Sequence, residues 1–169
     1  RLAALEIGTS DQRRGDFLRQ RLTGEPKGEL RDLVEQWRAN QAVQLSHDLL
    51  QGSVGGRYMI LRRTQWSRRL EIRDVGRGFI VYDDNWLAQA VGLRFEDQPD
   101  YLYGKWAAEA YYEASETQQP IIDNIDALID TPGRGKSRVQ YQRLVLPFRE
   151  PSGDHVLLCA SLIDRSIDL

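Results

Sequence analysis

The segment that decides the fold is RVQYQRLVLPFREPSGDHVLLCASLI, residues Arg138 to Ile163. Two apolar, strand-like halves flank the turn residues Glu150 to Asp154, a pattern typical of a long β-hairpin. In the first half the apolar positions change phase near Arg143, which indicates a bulge or burial on both faces. The second half, Val156 to Ile163, is apolar in both phases, as expected of a strand covered on both sides. We therefore predict that this last strand lies in the middle of a sheet.

A long helix and one strand precede this hairpin. Apolar residues recur at helical spacing from Tyr103 to Thr117, and Pro120 closes that pattern. From Ile121 to Ile129 the spacing changes to the alternation of a strand, which Thr131 to Gly135 then turns into the final hairpin.

Shorter elements are predicted further upstream. Asp83 to Asn85 offer N-caps for a short helix over Trp86 to Val91, and Gly92 suits a left-handed stop after it. Arg69 to Arg73 alternates between apolar and charged residues, and Phe79 to Tyr82 follows a glycine-containing turn. These two runs form a predicted β-hairpin.

The N-terminal third is predicted to be helical. Ser10 to Leu22 is a short, Arg-rich candidate, and Lys27 to about Gln51 is a better one. The second helix carries an apolar stripe that should dock on the sheet or pair with a second copy, and we expect it to form a homodimer interface. The stripe consists of Leu30, Leu33, Val34, Trp37, Leu45 and Leu49.

A glycine-rich segment follows this helix. Gly52 to Gly56 holds three glycines in five residues, which predicts a flexible linker. We place the domain boundary there, between an N-terminal helical segment at 1–51 and a sensory domain at 57–169. Tyr58 to Trp66, just after the boundary, fits either a buried strand or a short helix.

The composition is that of an ordinary globular chain. With 169 residues, 41% hydrophobic and 28% charged, the chain can build one buried core with an extension. The single cysteine, Cys159, cannot form an internal disulfide, which fits a reducing cytoplasm. No stretch is long and apolar enough to span a membrane, so we expect no membrane partner.

Two local patterns stand within this order of elements. Asp84-Asn85-Trp86 is followed by Val91-Gly92, and Tyr141-Gln142-Arg143-Leu144-Val145-Leu146-Pro147-Phe148 precedes the last turn. With these patterns, residues from about 69 to 165 resemble a PAS domain. The second pattern is similar to a PAS-type domain found in alphaproteobacteria. The resemblance covers some 95 of the 169 residues.

The resemblance implies an α+β fold, with a five-stranded antiparallel sheet in the order 2-1-5-4-3 and helices on one face enclosing a small pocket. It also implies a sensory module in which binding shifts a flanking helix. We expect aromatic and apolar side chains of the inner sheet face and the helices to line the pocket, although such residues are more often plain core. The candidate ligand-binding residues are Tyr82, Trp86, Trp106, Tyr111, Tyr141 and Cys159.

Departures from better-known PAS subclasses argue against two cofactors. A flavin photoreceptor of the LOV type needs a reactive cysteine on its short helix, whereas Cys159 lies in the last strand. An oxygen-sensing haem domain needs a histidine on the long helix, whereas the two histidines are His47 and His155. Two histidines and one cysteine are also too few for a structural zinc site. The cofactor is therefore left unknown, and no metal site is predicted.

Candidate catalytic groups have simpler structural explanations. His47-Asp48 resembles a phosphoacceptor box, but no glycine-rich nucleotide-binding signature follows it. His155 sits beside a turn, where a solvated histidine needs no catalytic role. Asp123, Asp126 and Asp130 are expected to keep an edge strand soluble rather than to bind a metal. We predict no catalytic residue and no enzyme activity.

Two other functions stay open as alternatives. Residues 1–73 carry 14 basic against 9 acidic side chains, and residues 74–169 carry 9 against 16. A DNA-associated regulator could use the Arg-rich first half, but attraction between the two halves explains the division as well, so nucleic acid is not the expected partner. An NTF2-like α+β enzyme would hold an acid–base pair inside a curved sheet. The preferred prediction is a cytoplasmic, non-catalytic sensory or regulatory module that forms a homodimer and binds a small molecule or a regulatory protein.

Overall fold

The computed structural model describes residues 14–39, 52, 54–78 and 82–169. A short 3-10 turn, Arg14–Asp16, opens the described chain. Six strands and three α-helices follow within the described residues: β1 (Phe17–Arg21), α1 (Leu30–Ala39), β2 (Tyr58–Arg63), β3 (Glu71–Val75), α2 (Asp84–Ala90), α3 (Tyr101–Thr117), β4 (Ile121–Thr131), β5 (Gly135–Arg149) and β6 (His155–Ile163).

All six strands form one antiparallel sheet in the order β1-β4-β5-β6-β2-β3. The α+β class is therefore confirmed. Strand β6 pairs with β5 on one side and with β2 on the other, which confirms the central position predicted for Val156 to Ile163. The sheet has six strands rather than the predicted five, because an additional edge strand, β1, pairs with β4.

The predicted hairpin between Arg69–Arg73 and Phe79–Tyr82 is wrong. Strand β3 pairs with β2, so β3 is an edge strand and β2 lies next to β6. The glycines that suggested a turn after β3 instead continue the pairing of this segment with the segment that contains β2. The Gly76 N–H donates to the Tyr58 carbonyl at 2.9 Å, and the Gly78 N–H donates to the Gly56 carbonyl at 3.1 Å. Phe79 to Val81 lie outside the described residues.

The predicted helix from Ser10 to Leu22 is also wrong where the structure describes it. Phe17–Arg21 is a strand whose residues pair one by one with Ala127 to Asp123 of β4. Phe17 is buried and the following four residues are exposed, so edge pairing and one buried ring outweigh the local helical pattern. Ser10 to Arg13 lie outside the described residues.

Helix α1 docks on the face of the sheet opposite α3. Leu30, Leu33, Val34 and Trp37 are buried against side chains such as Leu144 and Leu158, and the Trp37 indole N–H donates to the Pro147 carbonyl at 2.6 Å. Docking is thus the alternative that the structure shows for these four residues. They present almost no surface to a second copy, and Leu45 and Leu49 lie outside the described residues.

The glycine-rich segment after α1 is packed rather than free. Val54 is fully buried, and Gly55 and Gly56 have positive φ angles of 56° and 72°. A Cβ added at Gly76 would come within 2.0 Å of the Gly56 carbonyl oxygen, and one at Gly78 within 1.9 Å of that of Gly55. Positive φ angles therefore account for Gly55 and Gly56, and close backbone approach accounts for Gly76 and Gly78.

The described helices of the second half follow their predicted signals. The Asp83 carboxylate accepts from the Trp86 N–H at the start of α2, and that of Asp100 accepts from the Tyr103 N–H at the start of α3. Helix α3 packs its alanine-rich side on β4, β5 and β6. No helix in the described part of the chain has the length and apolar character needed to cross a membrane.

Strand β5 is covered on both faces, as the change of phase near Arg143 predicted. Residues 141–147 are all buried, and the register with β4 and β6 runs without a shift. The side chains of this strand therefore alternate between the two faces of the sheet. The face toward α3 carries Tyr141, Arg143 and Val145, and the face toward α1 carries Leu144 and Leu146. This alternation sends the charged side chain of Arg143 beneath α3.

Candidate functional site

A small cavity of about 50 Å³ lies between α3 and the sheet. Its walls come from α3, the loop after α2, and strands β2, β5 and β6. The residues that line it include Met59, Phe95, Gln98, Tyr103, Tyr111, Val139, Tyr141, Arg143 and Cys159. A water position needs roughly 10–15 Å³ of such space, so the cavity can hold only a few non-hydrogen atoms.

Three of the four tyrosines that line the cavity, together with the cysteine, give it polar but uncharged groups. The phenol oxygens of Tyr103 and Tyr141 are hydrogen-bonded to each other. Burial raises the pKa of Tyr103, Tyr111 and Tyr141 above the ordinary range, and burial likewise raises the pKa of the Cys159 thiol. All four groups are therefore neutral near pH 7 and can exchange hydrogen bonds without adding charge.

Arg143 is the one charged side chain that lines this cavity and is fully buried, with 1% of its surface exposed. Its guanidinium carbon lies 5.1 Å from the Tyr111 ring centroid and 6.0 Å from that of Trp106. Nη1 donates to the Ala107 carbonyl at 3.2 Å and Nη2 to Asp123 Oδ2 at 2.6 Å. The third nitrogen, Nε, has no hydrogen-bond partner among the described residues.

Asp123 links this arginine to the edge strand β1. The aspartate is fully buried, and its second oxygen accepts from Arg21 Nε at 2.6 Å. Arg21 also donates to both carboxylate oxygens of Glu113 on α3, at 2.9 and 3.0 Å. Two guanidinium groups and two carboxylates thus form one balanced chain from the cavity to the surface.

Gln98 supplies a second polar group with an unpaired atom. Its Nε2 donates to the Phe95 carbonyl at 2.9 Å, which fixes the orientation of the amide. Its Oε1 is buried and has no hydrogen-bond partner among the described residues. A buried donor on Arg143 and a buried acceptor on Gln98 therefore both belong to side chains of the cavity wall.

The structure places the six predicted ligand-binding residues in three places. Tyr111, Tyr141 and Cys159 line the cavity. Tyr82 is buried and packs on Trp86, with ring centroids 4.9 Å apart, and neither residue belongs to the cavity wall.

Trp106 lies in a separate open groove on the outer side of α3, where it contacts Phe17 at a ring-centroid distance of 5.5 Å. Trp106 is therefore linked to the cavity only indirectly, through its contact with Arg143.

Sequence reasoning missed the charged centre of the site. Asp123 was expected to keep an edge strand soluble, but it is buried between two arginines and β4 is covered by β1. A signal was present in the hairpin register, because the turn at Thr131 to Gly135 places Asp123 directly opposite Arg143. Tyr103 and Gln98 carried no comparable signal.

His155, considered as a possible base, contacts no carboxylate pair. Its Nδ1 lies 2.9 Å from the Ser115 hydroxyl and its Nε2 lies 3.4 Å from Arg149 Nη2. Burial and the neighbouring arginines Arg149 and Arg63 lower its pKa, so the ring is neutral near pH 7. His47 lies outside the described residues, and within the described ranges no three His, Cys, Asp or Glu side chains are placed to hold a metal ion.

The cavity does not fit a flavin. Its volume of about 50 Å³ is far below the roughly 300–1,000 Å³ of ordinary small-molecule pockets. Cys159, the single cysteine, lies in β6, and burial keeps its thiol protonated.

Comparison with known proteins gives two solved structures as similar. The chain aligns with an RNA-binding light-oxygen-voltage receptor at 10% identity and a TM-score of 0.43, covering 87% of this chain and 38% of that one. It aligns with a fungal LOV-domain photoreceptor at 14% identity and a TM-score of 0.44, covering 79% of this chain and 91% of that one. LOV domains belong to the PAS superfamily. No protein-family model and no curated protein matches the sequence.

Proposed function

We propose that this protein is a non-catalytic sensory or regulatory module that detects a small molecule in the cavity around Arg143. One observation carries the proposal: a fully buried arginine in the cavity wall has an unpaired Nε and is joined through Asp123 to an edge strand. A buried donor without a partner costs stability unless something satisfies it. Such a group is therefore well placed to recognise a ligand.

The same residues give the signal a route out of the core. A change in the position of Arg143 would alter its bond to Asp123, and Asp123 in turn holds Arg21 on β1. Phe17 of β1 packs on Tyr103, at a ring-centroid distance of 5.7 Å, and on Trp106. Strand β1 thus contacts the cavity wall directly through Phe17 on Tyr103 and is linked to Arg143 indirectly through Asp123.

Strand β1 is also the element of the sheet that ligand binding can most easily release. It has five residues at an edge, and Phe17 is its one buried side chain. Elements with few buried apolar contacts open at lower free energy than central strands. We therefore propose β1 as the output element. The flanking helix expected from the resemblance stays a prediction, and α1 packs on the far face of the sheet.

Hydrogen exchange after a ligand screen tests this function. Compounds from a library of small metabolites that raise the melting temperature are added, and amide exchange is followed in β1 and in β3, the opposite edge strand. We expect a ligand to change protection of Phe17–Arg21 and to leave Glu71–Val75 unchanged. The proposal fails if no compound of any class alters exchange in β1.

A matched pair of variants isolates the route. Arg21→Gln removes the contacts with Asp123 and Glu113. Arg19→Gln, in the same strand, removes a 3.4 Å contact with the exposed Glu109 and a guanidinium–ring contact with Trp106, but no contact with Asp123. We expect Arg21→Gln to abolish the ligand-dependent change in β1 and Arg19→Gln to retain it. Equal responses in both variants would exclude the Asp123 route.

Homodimerisation, a regulatory protein partner and a cytoplasmic location remain predictions. Light scattering of the purified chain, with and without the screened compounds, tests the first. The NTF2-like enzyme has little support, because Asp123 pairs with arginines and His155 with Ser115, so these carboxylate and imidazole groups do not meet. The DNA-associated alternative gains no observation from the described residues.

A further inference from the structure

We infer, on the basis of the proposed function, that the ligand of the cavity is a neutral molecule of about three to five non-hydrogen atoms that carries both a hydrogen-bond acceptor and a donor. Small primary amides are the simplest class with these properties. The inference depends on the size of the cavity, on the two unpaired polar atoms in its wall, and on the charge balance around Arg143.

The size of the cavity sets the upper limit. A volume of about 50 Å³ corresponds to roughly three to five water-sized positions. Metabolites of ordinary size occupy pockets of roughly 300–1,000 Å³, so they would need the core to open. Formamide and acetamide, with three and four non-hydrogen atoms, are within the limit.

The polar atoms of the wall set the hydrogen-bonding pattern. Nη1 and Nη2 of Arg143 each donate one hydrogen to the protein, and Nε is the nitrogen that has no hydrogen-bond partner among the described residues. Gln98 donates through Nε2 to Phe95, so Oε1 is the acceptor that remains. A ligand that satisfies both must offer an acceptor to Arg143 and a donor to Gln98. A primary amide carries both groups on one carbon.

The charges around the cavity favour a neutral ligand. Arg143 is paired with Asp123, and Arg21 is shared by Asp123 and Glu113, so two positive groups face two negative ones. Arg57, the other cation of the cavity wall, lies 3.5 Å from the carboxylate of Glu29. An added anion would leave an excess negative charge in the core, and an added cation would face the guanidinium group. Either would pay a desolvation cost that a neutral amide avoids.

Titration by NMR tests the inference with acetamide as the probe and acetate as its anionic control of similar shape. The Nε–H signal of Arg143, assigned by its loss in Arg143→Lys, is followed in the wild-type protein. We expect saturable shifts with acetamide at millimolar concentrations, since so small a ligand cannot bind tighter than roughly tens of micromolar. Acetate is expected to cause no saturable shift.

Two variants separate recognition from general solvation. Gln98→Met removes the acceptor Oε1 and also the bond from Nε2 to the Phe95 carbonyl, with little change in side-chain length. Gln119→Met makes the same change at an exposed position. We expect acetamide affinity to fall about tenfold or more in Gln98→Met and to be unchanged in Gln119→Met. The wild-type comparison of acetamide with acetate does not depend on the folding of either variant.

Three results would overturn the inference. The first is that acetate binds as tightly as acetamide. The second is that acetamide binds the wild type and Gln98→Met with equal affinity. The third is that the Arg143 Nε–H group contacts water alone and its signal responds to neither probe. If a larger metabolite nevertheless changes exchange in β1, the proposed function stands and only this ligand class is wrong. If nothing changes exchange in β1, the proposed function itself fails.

Discussion

Removing the negative charge of Asp123 should destabilise the fold more than removing the positive charge of Arg143. Both groups are buried, with 0% and 1% of their surface exposed, and the two charged atoms lie 2.6 Å apart. The two are not equivalent, however. Asp123 has a second guanidinium partner in Arg21 at 2.6 Å, whereas Arg143 has no second carboxylate and is otherwise bonded to the Ala107 carbonyl.

The expected magnitudes follow from these partners. In Asp123→Asn, Arg143 keeps its charge in the core without a carboxylate, and breaking a buried pair in this way costs about 3–5 kcal/mol. In Arg143→Met, Asp123 still has Arg21, so the cost is nearer that of one charge-assisted hydrogen bond, about 1.5–3 kcal/mol. The double variant should be more stable than the sum of the single costs implies, by about 1–3 kcal/mol.

Urea unfolding of the four proteins measures these differences in the free energy of unfolding. Arg94→Gln is the matched control, because Arg94 makes two hydrogen bonds to Asp97 in an exposed pair, and we expect it to cost less than about 1 kcal/mol. A greater cost for Arg143→Met than for Asp123→Asn would refute the reasoning, since Arg21 would then not be compensating Asp123. Additive costs in the double variant would show that the pair does not interact.

Three further predictions concern packing and pH. Gly78→Ala should cost about 2 kcal/mol or more, because its Cβ would meet the Gly55 carbonyl at 1.9 Å, whereas Gly24→Ala, with no atom within 4 Å, should have little effect; urea midpoints distinguish them. Leu33→Ala should cost about 2–5 kcal/mol because the Leu33 side chain of α1 is fully buried against the sheet, and a cost below about 1 kcal/mol would mean that α1 does not dock as described. Lys27 and Ser166 lower the pKa of Asp164 to about 2. The stabilisation that follows is present above the ordinary carboxyl range near pH 4 and is lost as the pH falls towards 2. Lys27→Met should therefore flatten the stability–pH curve between about pH 4 and pH 2 and leave its slope near neutral pH unchanged.

The elements that could be predicted from the sequence carry their signals locally. Helices α2 and α3 begin at capping aspartates, Asp83 and Asp100, and α3 shows a clear helical period. The final hairpin is defined by its turn and by apolar runs on each side. These signals act within a few residues of one another, so they specify the element wherever it is placed.

The errors arose where pairing over long distances decides the structure. Phe17–Arg21 has a helical pattern of apolar residues, but its backbone pairs with β4, about 100 residues away. Tyr58–Arg63 was ambiguous because a strand buried on both faces has no alternation. Once that strand takes the place beside β6, the run at Glu71–Val75 must move to the edge. Propensity alone cannot supply either assignment.

The residues of the candidate site likewise fall into those with a local sequence signal and those that depend on long-range pairing. Tyr111, Tyr141 and Cys159 could be predicted because they belong to the apolar faces of predicted elements. Arg143 and Asp123 were missed because charged residues are read as exposed, and each is buried only because the other is opposite it. Their register in the β4–β5 hairpin follows from the turn between those strands. Examining hairpin registers for opposite charges within apolar runs would have found the pair.

The position of the Arg143–Asp123 pair supports a functional rather than a structural role. Replacing a buried ion pair by apolar residues of similar volume is often neutral or stabilising, so stability alone gives no reason to keep one beneath α3. In this fold the pair contacts a cavity on one side and the edge strand β1 on the other. An apolar pair would fill the same space, but it could neither bind a polar ligand nor hold Arg21. We therefore interpret the free energy lost by burying two charges as what couples ligand recognition to the docking of β1.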